Sequence, residues 1–373
     1  MKNINFKLNL FVNYLTIPLI FFSLSNIEIK AQTTGGSAVP FLLIAPSARY
    51  GGMGEMGTAI ADDEHSTHYN IAGLAYQNHT KVGLSYSKWL PQFNADLHYG
   101  YLTGCTYMPS LGGTLSGEFT YLDLGEFQRT FENGALGEKF RSVEYALAVG
   151  FATKLSDEFG AGIQGRFINS MLSSIGVGQE KQSGSGASVG FDLGVLWNPN
   201  LKIDGFPEKP LKVGATFTNI GPKIFYIDIA QADPLPTTLR TGIAFHLLQD
   251  EFNDMTIGAD ITKLLVNRPS KDLVDPVPKS LWTSWGNGKG VELSLGAEYW
   301  YEKLVALRAG YFTESAAGGN RKFLTFGAGL RYDIYGIDFS YINTIETAHP
   351  LANTLRFTLG IDLDKNDTPN VPN

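Results

Sequence analysis

Apolar and polar positions alternate with a period of two along many segments of this chain. Residues 143–151 are a clear example, because one phase holds small or polar side chains and the other is apolar throughout: Val143, Tyr145, Leu147, Val149 and Phe151. The same pattern recurs at 239–247, 291–299, 324–331 and 354–361. Successive side chains of a strand point to opposite faces, so each segment predicts a β-strand with one apolar face.

Marking every such run predicts fourteen strands. Their approximate bounds are 80–90, 95–108, 112–122, 142–154, 159–172, 186–198, 211–220, 238–248, 254–265, 291–300, 303–313, 323–333, 336–343 and 353–363. These runs exceed the five or six residues usual in a soluble sheet, and they suit the roughly 9–11 residues that a tilted strand needs to cross a bilayer. The lengths and the even count predict an all-β fold, a transmembrane antiparallel β-barrel of about fourteen strands.

The links between the predicted strands alternate in length. Long links at 123–141, 173–185, 221–237, 266–290, 314–322 and 344–352 interleave with short ones at 109–111, 155–158, 249–253, 301–302 and 334–335. Two links depart from this rule, a short one near Pro91 and a longer one at 199–210. Outer-membrane barrels join their strands by short periplasmic turns and longer external loops, so the alternation predicts which end of the barrel faces outwards.

The phase opposite the apolar one carries isolated charges of both signs. These predicted lumen residues are Glu144, Arg166, Asp192, Arg240, Asp260, Glu292, Glu298, Arg308, Arg331 and Arg356. Charges on this face favour a polar lumen held by ion pairs and water, with lipid covering the apolar face. A barrel of fourteen strands is too wide for its own side chains to fill, so we expect residues 32–79 to form a hatch in the periplasmic half of the lumen.

The first residues resemble a secretory signal peptide, because Lys2 and Lys7 precede an apolar run at 8–24, and cleavage is expected after Ala31. No other segment reaches about twenty uninterrupted apolar residues, which excludes a helical membrane bundle. We therefore expect an exported, integral protein of the outer membrane. The predicted organisation is a signal peptide at 1–31, a hatch segment at 32–79, a transmembrane barrel at 80–363 and a periplasmic tail at 364–373.

Composition agrees with this class of protein. Gly 42, Tyr 17 and Phe 24, with only 17% charged residues, favour strands with close backbone approaches and aromatic rims. The formal net charge of −7 argues against nucleic acid as a partner. Cys105 is the only cysteine, so packing and backbone pairing must stabilise the fold without an internal disulfide.

Two motifs near the N-terminus suggest chemistry that their context does not support. Gly52, Gly54 and Gly57 match the spacing of a dinucleotide-binding loop, but no βαβ unit surrounds them, and tight hatch packing is favoured. The densest ligand-like cluster consists of Asp62, Asp63, Glu64, His65 and His68, and a solvated polar loop is favoured over a metal site. No paired carboxylates or nucleophile beside a base stand out, so we predict no enzyme, no cofactor and no bound metal.

The external loops are the predicted place for recognition, since lipid constrains the barrel wall. The long link after the ninth strand holds Trp282 and Trp285, which suit a protein contact or, equally, a membrane-interface anchor. The link after the third strand is similarly amphipathic and holds Phe127 and Phe131. These four aromatic residues are the predicted extracellular partner contacts.

The stretch from Val39 to Ala59 resembles the N-terminal signature of the PorV family, part of the type IX secretion system of Bacteroidetes. The segment His68 to Ala75 resembles the Asn-Pro-Ala segment of FadL-like barrels more widely. Ser47 stands where the family usually has Asp, and Ile71 where Pro is usual, so a PorQ-like sister is an alternative within the group. The residues of this hatch motif are Pro46, Arg49, Gly51, Gly52, Gly54, Gly57 and Asn70.

The resemblance implies a function at the cell surface. A protein of this family is expected to act as a shuttle and attachment component in the outer membrane. It would dock against a SprA-type translocon, bind the C-terminal domains of secreted cargo proteins at its extracellular loops, and pass them to a PorU-type attachment complex. The competing hypothesis is a FadL-like transporter of hydrophobic small molecules, and the charged lumen argues against such an apolar conduit. A plain diffusion pore is the third hypothesis.

Overall fold

Fourteen antiparallel strands close into a barrel in which each strand pairs with its neighbours along the chain and β1 pairs with β14. This confirms the predicted fold class. The computed structural model describes residues 36–364 except 94–95, 132, 177–182, 228–230, 271–272, 288–289, 316–317 and 347–348. The predicted signal peptide and nearly all of the predicted tail lie outside the described residues, so both stay predictions.

The strands follow the predicted pattern closely. They are β1 (Lys81–Lys88), β2 (His98–Met108), β3 (Gly113–Thr130), β4 (Leu136–Lys154), β5 (Phe159–Gly176), β6 (Ser183–Trp197), β7 (Leu211–Ile220), β8 (Thr238–Gln249), β9 (Asn253–Leu264), β10 (Val291–Tyr301), β11 (Val305–Glu314), β12 (Lys322–Tyr332), β13 (Tyr335–Thr344) and β14 (Leu355–Asp362). Short helices are α1 (Ala48–Gly51), α2 (Ser66–Tyr69) and α3 (Val277–Thr283). Short 3₁₀ turns span Pro40–Leu43, Ile71–Tyr76, Pro91–Phe93, Pro109–Leu111 and Ser284–Asn287.

The two faces of the wall differ as the alternation predicts. Leu147 and Val149 of β4 point outwards and are 50% and 69% exposed. The alternate residues Ala146 and Ala148 point inwards and are buried. The apolar outward side chains form the surface that lipid covers. Among the described residues, no helix has both the length and the hydrophobicity to cross a membrane.

The prediction of a long loop at 123–141 is wrong, because most of these residues belong to strands β3 and β4. β3 and β4 continue as a hairpin beyond the predicted ends, with a register shift between Asp123 and Glu126. Phe127 and Phe140 face each other on this hairpin, and their ring centroids are 5.8 Å apart. A bulge adds a residue to one strand and reverses the phase of the alternation, so the pattern stops being visible at that point.

Residues 36–79, here called the hatch segment, run through the lumen from one end to the other. Near the end with the long links, the Ala38 N–H donates to the Pro234 carbonyl at 2.9 Å. Near the short turns, Thr114 donates its hydroxyl proton to the carbonyl of Gln77. The expectation of a hatch confined to the periplasmic half is therefore wrong.

An apolar cluster explains why the hatch segment reaches the external half. Phe41, Leu42 and Ile44 are buried, and they pack in one cluster with apolar side chains of the external half of the barrel. Those partners are Tyr99, Tyr101, Leu122, Ala146, Ile168, Ile224 and Leu235. The hydrophobic effect therefore favours the position of these apolar side chains inside the external half of the lumen, away from water.

Candidate functional site

A track of inward-facing glycines on the barrel wall lies against the hatch segment. A Cβ atom added at Gly310 would lie 2.0 Å from the backbone nitrogen of Gly54, and one at Gly296 would lie 2.4 Å from the Met53 carbonyl oxygen. Contacts this short leave room for a hydrogen atom only. The members of this glycine track are Gly150, Gly162, Gly194, Gly214, Gly242, Gly258, Gly296, Gly310 and Gly327.

The glycines of the hatch motif make the matching contacts from the other side. Gly54 has φ +68, a left-handed backbone conformation that favours glycine, and an added Cβ would lie 2.6 Å from the Leu295 carbonyl oxygen. An added Cβ at Gly52 would lie 3.0 Å from Cα of Gly327. The spacing that resembles a dinucleotide loop therefore places two backbones in direct contact. No space for a pyrophosphate lies between them.

A series of alternating charges, here called the ion ladder, connects the hatch segment to the barrel wall. Arg49 donates to Glu298 through Nε at 2.9 Å and Nη2 at 2.8 Å, and its Nη1 lies 2.5 Å from Asp62. Arg308 continues the series, with Nε 2.7 Å from Glu298 and Nη1 2.8 Å from Asp338. Nearly all of these groups are buried, and each buried charge in the series has a partner of opposite sign.

A second buried network joins α2 to the opposite wall. The Arg166 guanidinium lies 2.8 Å from Glu118 and 2.9 Å from Asp192. The Tyr101 hydroxyl donates to Glu118 at 2.6 Å and lies 2.7 Å from the Thr67 hydroxyl. Because Thr67 belongs to the hatch segment, this network ties it to β2, β3, β5 and β6.

Backbone groups of the hatch segment are also bound directly by barrel side chains. One carboxylate oxygen of Asp260 accepts from the N–H groups of Gly57 and Thr58 at 2.8 Å and 2.9 Å, and from the Thr58 hydroxyl at 2.7 Å. Asn70 of the hatch motif donates to the carbonyl of Thr58 at 2.9 Å and to that of Val195 at 3.0 Å. These contacts hold two distant parts of the hatch segment together against β6 and β9.

The ten predicted lumen charges all lie on strands, and the structure distributes them over several contacts. Arg308 pairs with both Glu298 and Asp338 in the ion ladder, Arg331 pairs with Asp338, and Arg356 reaches Glu55 at 2.5 Å. Glu144 accepts from Ser170 at 2.7 Å, Glu292 pairs with Arg321 at 2.5 Å, and Arg240 donates to Thr262 at 3.2 Å. Four further members of these networks escaped the sequence analysis, although each stands on a predicted strand or next to one: Glu118, Glu314, Arg321 and Asp338.

The cluster of acidic residues and histidines is internally paired. Ligand atoms of Asp63, Glu64 and His65 lie within 4.8 Å of one another. Asp63 lies 3.1 Å from Arg49, and the His65 ring lies 2.9 Å from the Ser85 hydroxyl and 3.2 Å from Glu64. These partners satisfy the cluster from within the protein.

Two cavities lie in the lumen beside the described part of the hatch segment. One cavity of about 130 Å³ lies towards the periplasmic end and is lined by polar and charged groups, including Lys212, His246 and Asp254. A second cavity of about 20 Å³ lies on the external side, next to Arg166 and Arg240. Between the two, Thr58 lies against the glycines of the track at 214 and 242, so the hatch backbone separates them.

The four predicted partner contacts lie on the external rim and are exposed. Phe127 and Phe131 are 46% and 45% exposed at the end of the β3–β4 hairpin, and Trp282 is 80% exposed on α3. Trp285 lies over Lys263, with the ammonium 5.9 Å from the ring centroid. Lys263 belongs to the outward phase of β9, so the position of Trp285 suits the membrane-interface interpretation.

The sequence of the chain matches the model of a known protein family. The family model described as type IX secretion system protein PorV matches residues 18–271, which is more than half of the chain. No curated protein matches the chain.

Solved structures share the fold at low sequence identity. The Pseudomonas putida toluene transporter TodX is 12% identical, with 85% of this chain and 95% of that chain covered and a TM-score of 0.51. The Ralstonia pickettii toluene transporter TbuX is also 12% identical, with 85% and 96% covered and a TM-score of 0.47. These likenesses concern the barrel fold alone. On the evidence of the family match and the closed barrel, the chain belongs to the PorV family and is an integral outer-membrane component of type IX secretion.

Proposed function

We propose that this chain is a shuttle and attachment component of type IX secretion. It binds the C-terminal domains of secreted cargo proteins at its extracellular surface, receives them at a SprA-type translocon and passes them to a PorU-type attachment complex. The observation that carries the proposal, beside the family match, is a lumen occupied by the hatch segment along its whole length. With the lumen occupied, recognition of a protein belongs to the external rim.

The contacts between the hatch segment and the barrel wall support a lumen that stays closed while cargo is bound and passed on. The buried pair of Arg49 with Glu298 and the bonds of Thr58 to Asp260 join the hatch to the neighbouring strands β10 and β9, and the bond of Thr67 to Tyr101 joins it to β2 across the barrel. Removing one partner of a buried ion pair typically destabilises a protein by about 3–5 kcal/mol. Several such contacts would have to break together before a substrate could pass.

The external rim offers the kind of side chains that anchor protein complexes. Phe127, Phe131 and Trp282 are exposed on elements that stand above the membrane-spanning part of the wall. Buried aromatic side chains carry a large share of the binding energy in protein interfaces. A cargo domain that covers them would gain that energy without entering the barrel.

The proposal is tested by binding of a purified cargo C-terminal domain to the detergent-solubilised protein. The double variant Phe127→Ala with Phe131→Ala should weaken binding about tenfold or more, because it removes two rim anchors. The matched control is Leu147→Ala, which changes a lipid-facing side chain of β4 in the same hairpin. This variant should bind cargo normally. Affinity purification that recovers neither a very large translocon protein nor secreted cargo would overturn the proposal.

A FadL-like transporter of hydrophobic small molecules is the second candidate, and the fold shared with the toluene transporter TodX favours it. The polar cavity of about 130 Å³ and the ion ladder do not suit an apolar conduit. Hydrocarbon uptake in a deletion strain separates the two candidates. Normal uptake with secreted cargo trapped in the cell supports the shuttle, whereas lost uptake with normal secretion supports the transporter.

A further inference from the structure

The external part of β6 has a strand neighbour on one side only. Its pairing with β7 begins where Phe191 meets Ile220, because β7 ends there. The seven residues Gly184–Gly190 continue beyond this point and pair with β5, from Gly190 opposite Arg166 to Gly184 opposite Ser173. Among the described residues, their backbone groups on the β7 side have no strand partner, and the Val189 carbonyl oxygen lies against Gly221 of the following link; this edge is here called the β6 edge.

The link between β7 and β8 passes behind the β6 edge and does not pair with it. Ile224 and Asp233 of this link bond to each other through their backbones, at 2.9 Å and 2.8 Å. The link meets β6 on its inward face, where Ser188 donates its hydroxyl proton to the Pro222 carbonyl and an added Cβ at Gly186 would lie 2.6 Å from the Phe225 carbonyl oxygen. Within the described part of the chain, no backbone hydrogen bond joins this link to the β6 edge.

The β6 edge lacks two of the features that normally protect a free strand, charge and proline, while its pairing shifts register at both ends, near Gly184 and after Phe191. Natural edge strands carry charges, prolines or bulges, because unpaired N–H and C=O groups invite another strand. Residues 184–190 contain no charge and no proline. Their outward side chains, Ser185, Ala187 and Val189, are small enough to let a second backbone approach.

The same raised part of the wall contains a protected edge for comparison. β3 extends beyond the start of β2, whose first residue His98 pairs with Asp123, so residues 124–130 also have one strand neighbour only. This β3 edge carries Glu126 and Arg129 and has two register shifts in its pairing with β4. Charges therefore protect the β3 edge, whereas residues 184–190 carry none.

We infer that the β6 edge is a docking edge for an extended strand of the cargo C-terminal domain. The inference rests on the proposed function and names the contact by which cargo is held. Backbone pairing recognises the shape of a strand and little of its sequence. A carrier that must accept many different secreted proteins needs recognition of this kind, and aromatic anchors on the neighbouring β3–β4 hairpin would add to it.

Hydrogen exchange of the full-length protein in detergent, with and without a purified cargo C-terminal domain, tests the inference. Backbone pairing should slow exchange of amides within 184–190 by about tenfold or more, whereas the periplasmic β4–β5 turn at 155–158 should be unchanged and serves as the control. A complex that forms without slower exchange at 184–190 would overturn the inference and leave the proposed function standing. Absence of any complex would overturn both, and slowing that depends on the concentration of this chain alone would assign the edge to a second copy.

A pair of adjacent proline variants gives a second test that does not depend on exchange data. Neighbouring residues of a strand direct their N–H groups to opposite edges, so one of Ala187→Pro and Ser188→Pro removes a bond to β5 and the other removes a donor from the β6 edge. The variant that keeps the heat stability of the parent barrel is the edge variant, and it should bind cargo about tenfold more weakly. Ala187→Gly and Ser188→Gly keep the amides and should bind normally. Full affinity in the stable proline variant would overturn the inference.

Discussion

Arg49 of the hatch segment and Glu298 of β10 form a two-point ion pair, with Nε–Oε1 at 2.9 Å and Nη2–Oε2 at 2.8 Å. The two residues are 249 positions apart in the chain, and both side chains are almost fully buried. A guanidinium and a carboxylate in this geometry form a strong and directional contact. The pair therefore fixes the hatch segment to a wall that is completed only when the second half of the chain has folded.

Replacing Arg49 should loosen the hatch segment and expose the single cysteine. Cys105 lies in a buried apolar cluster with Leu74 and Ala75 of the hatch segment, so its thiol reports on their departure. Arg49→Met leaves Glu298 and Asp62 with a missing partner, and loss of one buried partner destabilises by about 3–5 kcal/mol. We expect maleimide labelling of Cys105 to become about tenfold faster or more.

The control for this experiment is an exposed ion pair. Lys139 and Glu126 lie 2.6 Å apart at the surface of the β3–β4 hairpin, and exposed pairs contribute little to stability. Lys139→Met should leave the labelling rate of Cys105 at the parent value. Equal rates in Arg49→Met and Lys139→Met would contradict the assigned role of the buried pair.

A larger side chain in the glycine track should expel the hatch backbone. An added Cβ at Gly310 would lie 2.0 Å from the Gly54 nitrogen, which is backbone and cannot rotate away. Gly310→Val should therefore open the lumen and give measurable conductance in planar bilayers, where the parent protein is closed. Gly100→Val is the matched control on β2, because nothing lies within 4 Å of an added Cβ there. Gly310→Val barrels that stay closed would show that the hatch tolerates displacement of its backbone.

Much of the wall could be predicted because a membrane barrel repeats one simple rule. Every strand residue faces either lipid or lumen, so the alternation at Val143 to Phe151 determines both the strand and its faces. The same rule identified the inward phase that carries Glu298, Arg308 and Arg356. The local sequence pattern was therefore enough to predict a strand wherever successive side chains alternate between lipid and lumen.

The remaining features depend on contacts between distant residues. The choice of Glu298 as the partner of Arg49 follows from the closed barrel and has no local signal. The β3–β4 hairpin was missed because the bulge near Asp123 reverses the phase. The β6 edge was missed because it exists only where Ile220 ends β7 below the end of β6. Each of these needs the register between strands, which periodicity does not supply.

The beginning of the hatch segment should be accessible from outside the cell. The Ala38 N–H bonds to the carbonyl of Pro234 in the link between β7 and β8, at the end of the barrel with the long links. In a Cys105→Ala background, Ser37→Cys on intact cells should react with a membrane-impermeant maleimide. Asp157→Cys in the short β4–β5 turn is the control and should react only after the cells are broken. The opposite labelling pattern would mean that the hatch segment enters the lumen from the periplasmic end.

Asp275 should hold α3 in place over a wide pH range. Its carboxylate accepts from Lys279, Asn267 and Thr283, each at 2.8 Å, and these hydrogen bonds, that of Lys279 foremost, lower the pKa of Asp275 to about 2. An unfolded Asp has a pKa of about 3.9, so the stabilisation is fully present above that pH and is lost as the pH falls through about 2. Asp275→Ala should make tryptophan fluorescence of the loop easier to quench by iodide at pH 7, and the difference from the parent should vanish near pH 2. Glu302→Gln in the β10–β11 turn should match the parent throughout. A difference of unchanged size at pH 2 would contradict the assignment of the ionised carboxylate as the group that holds the helix.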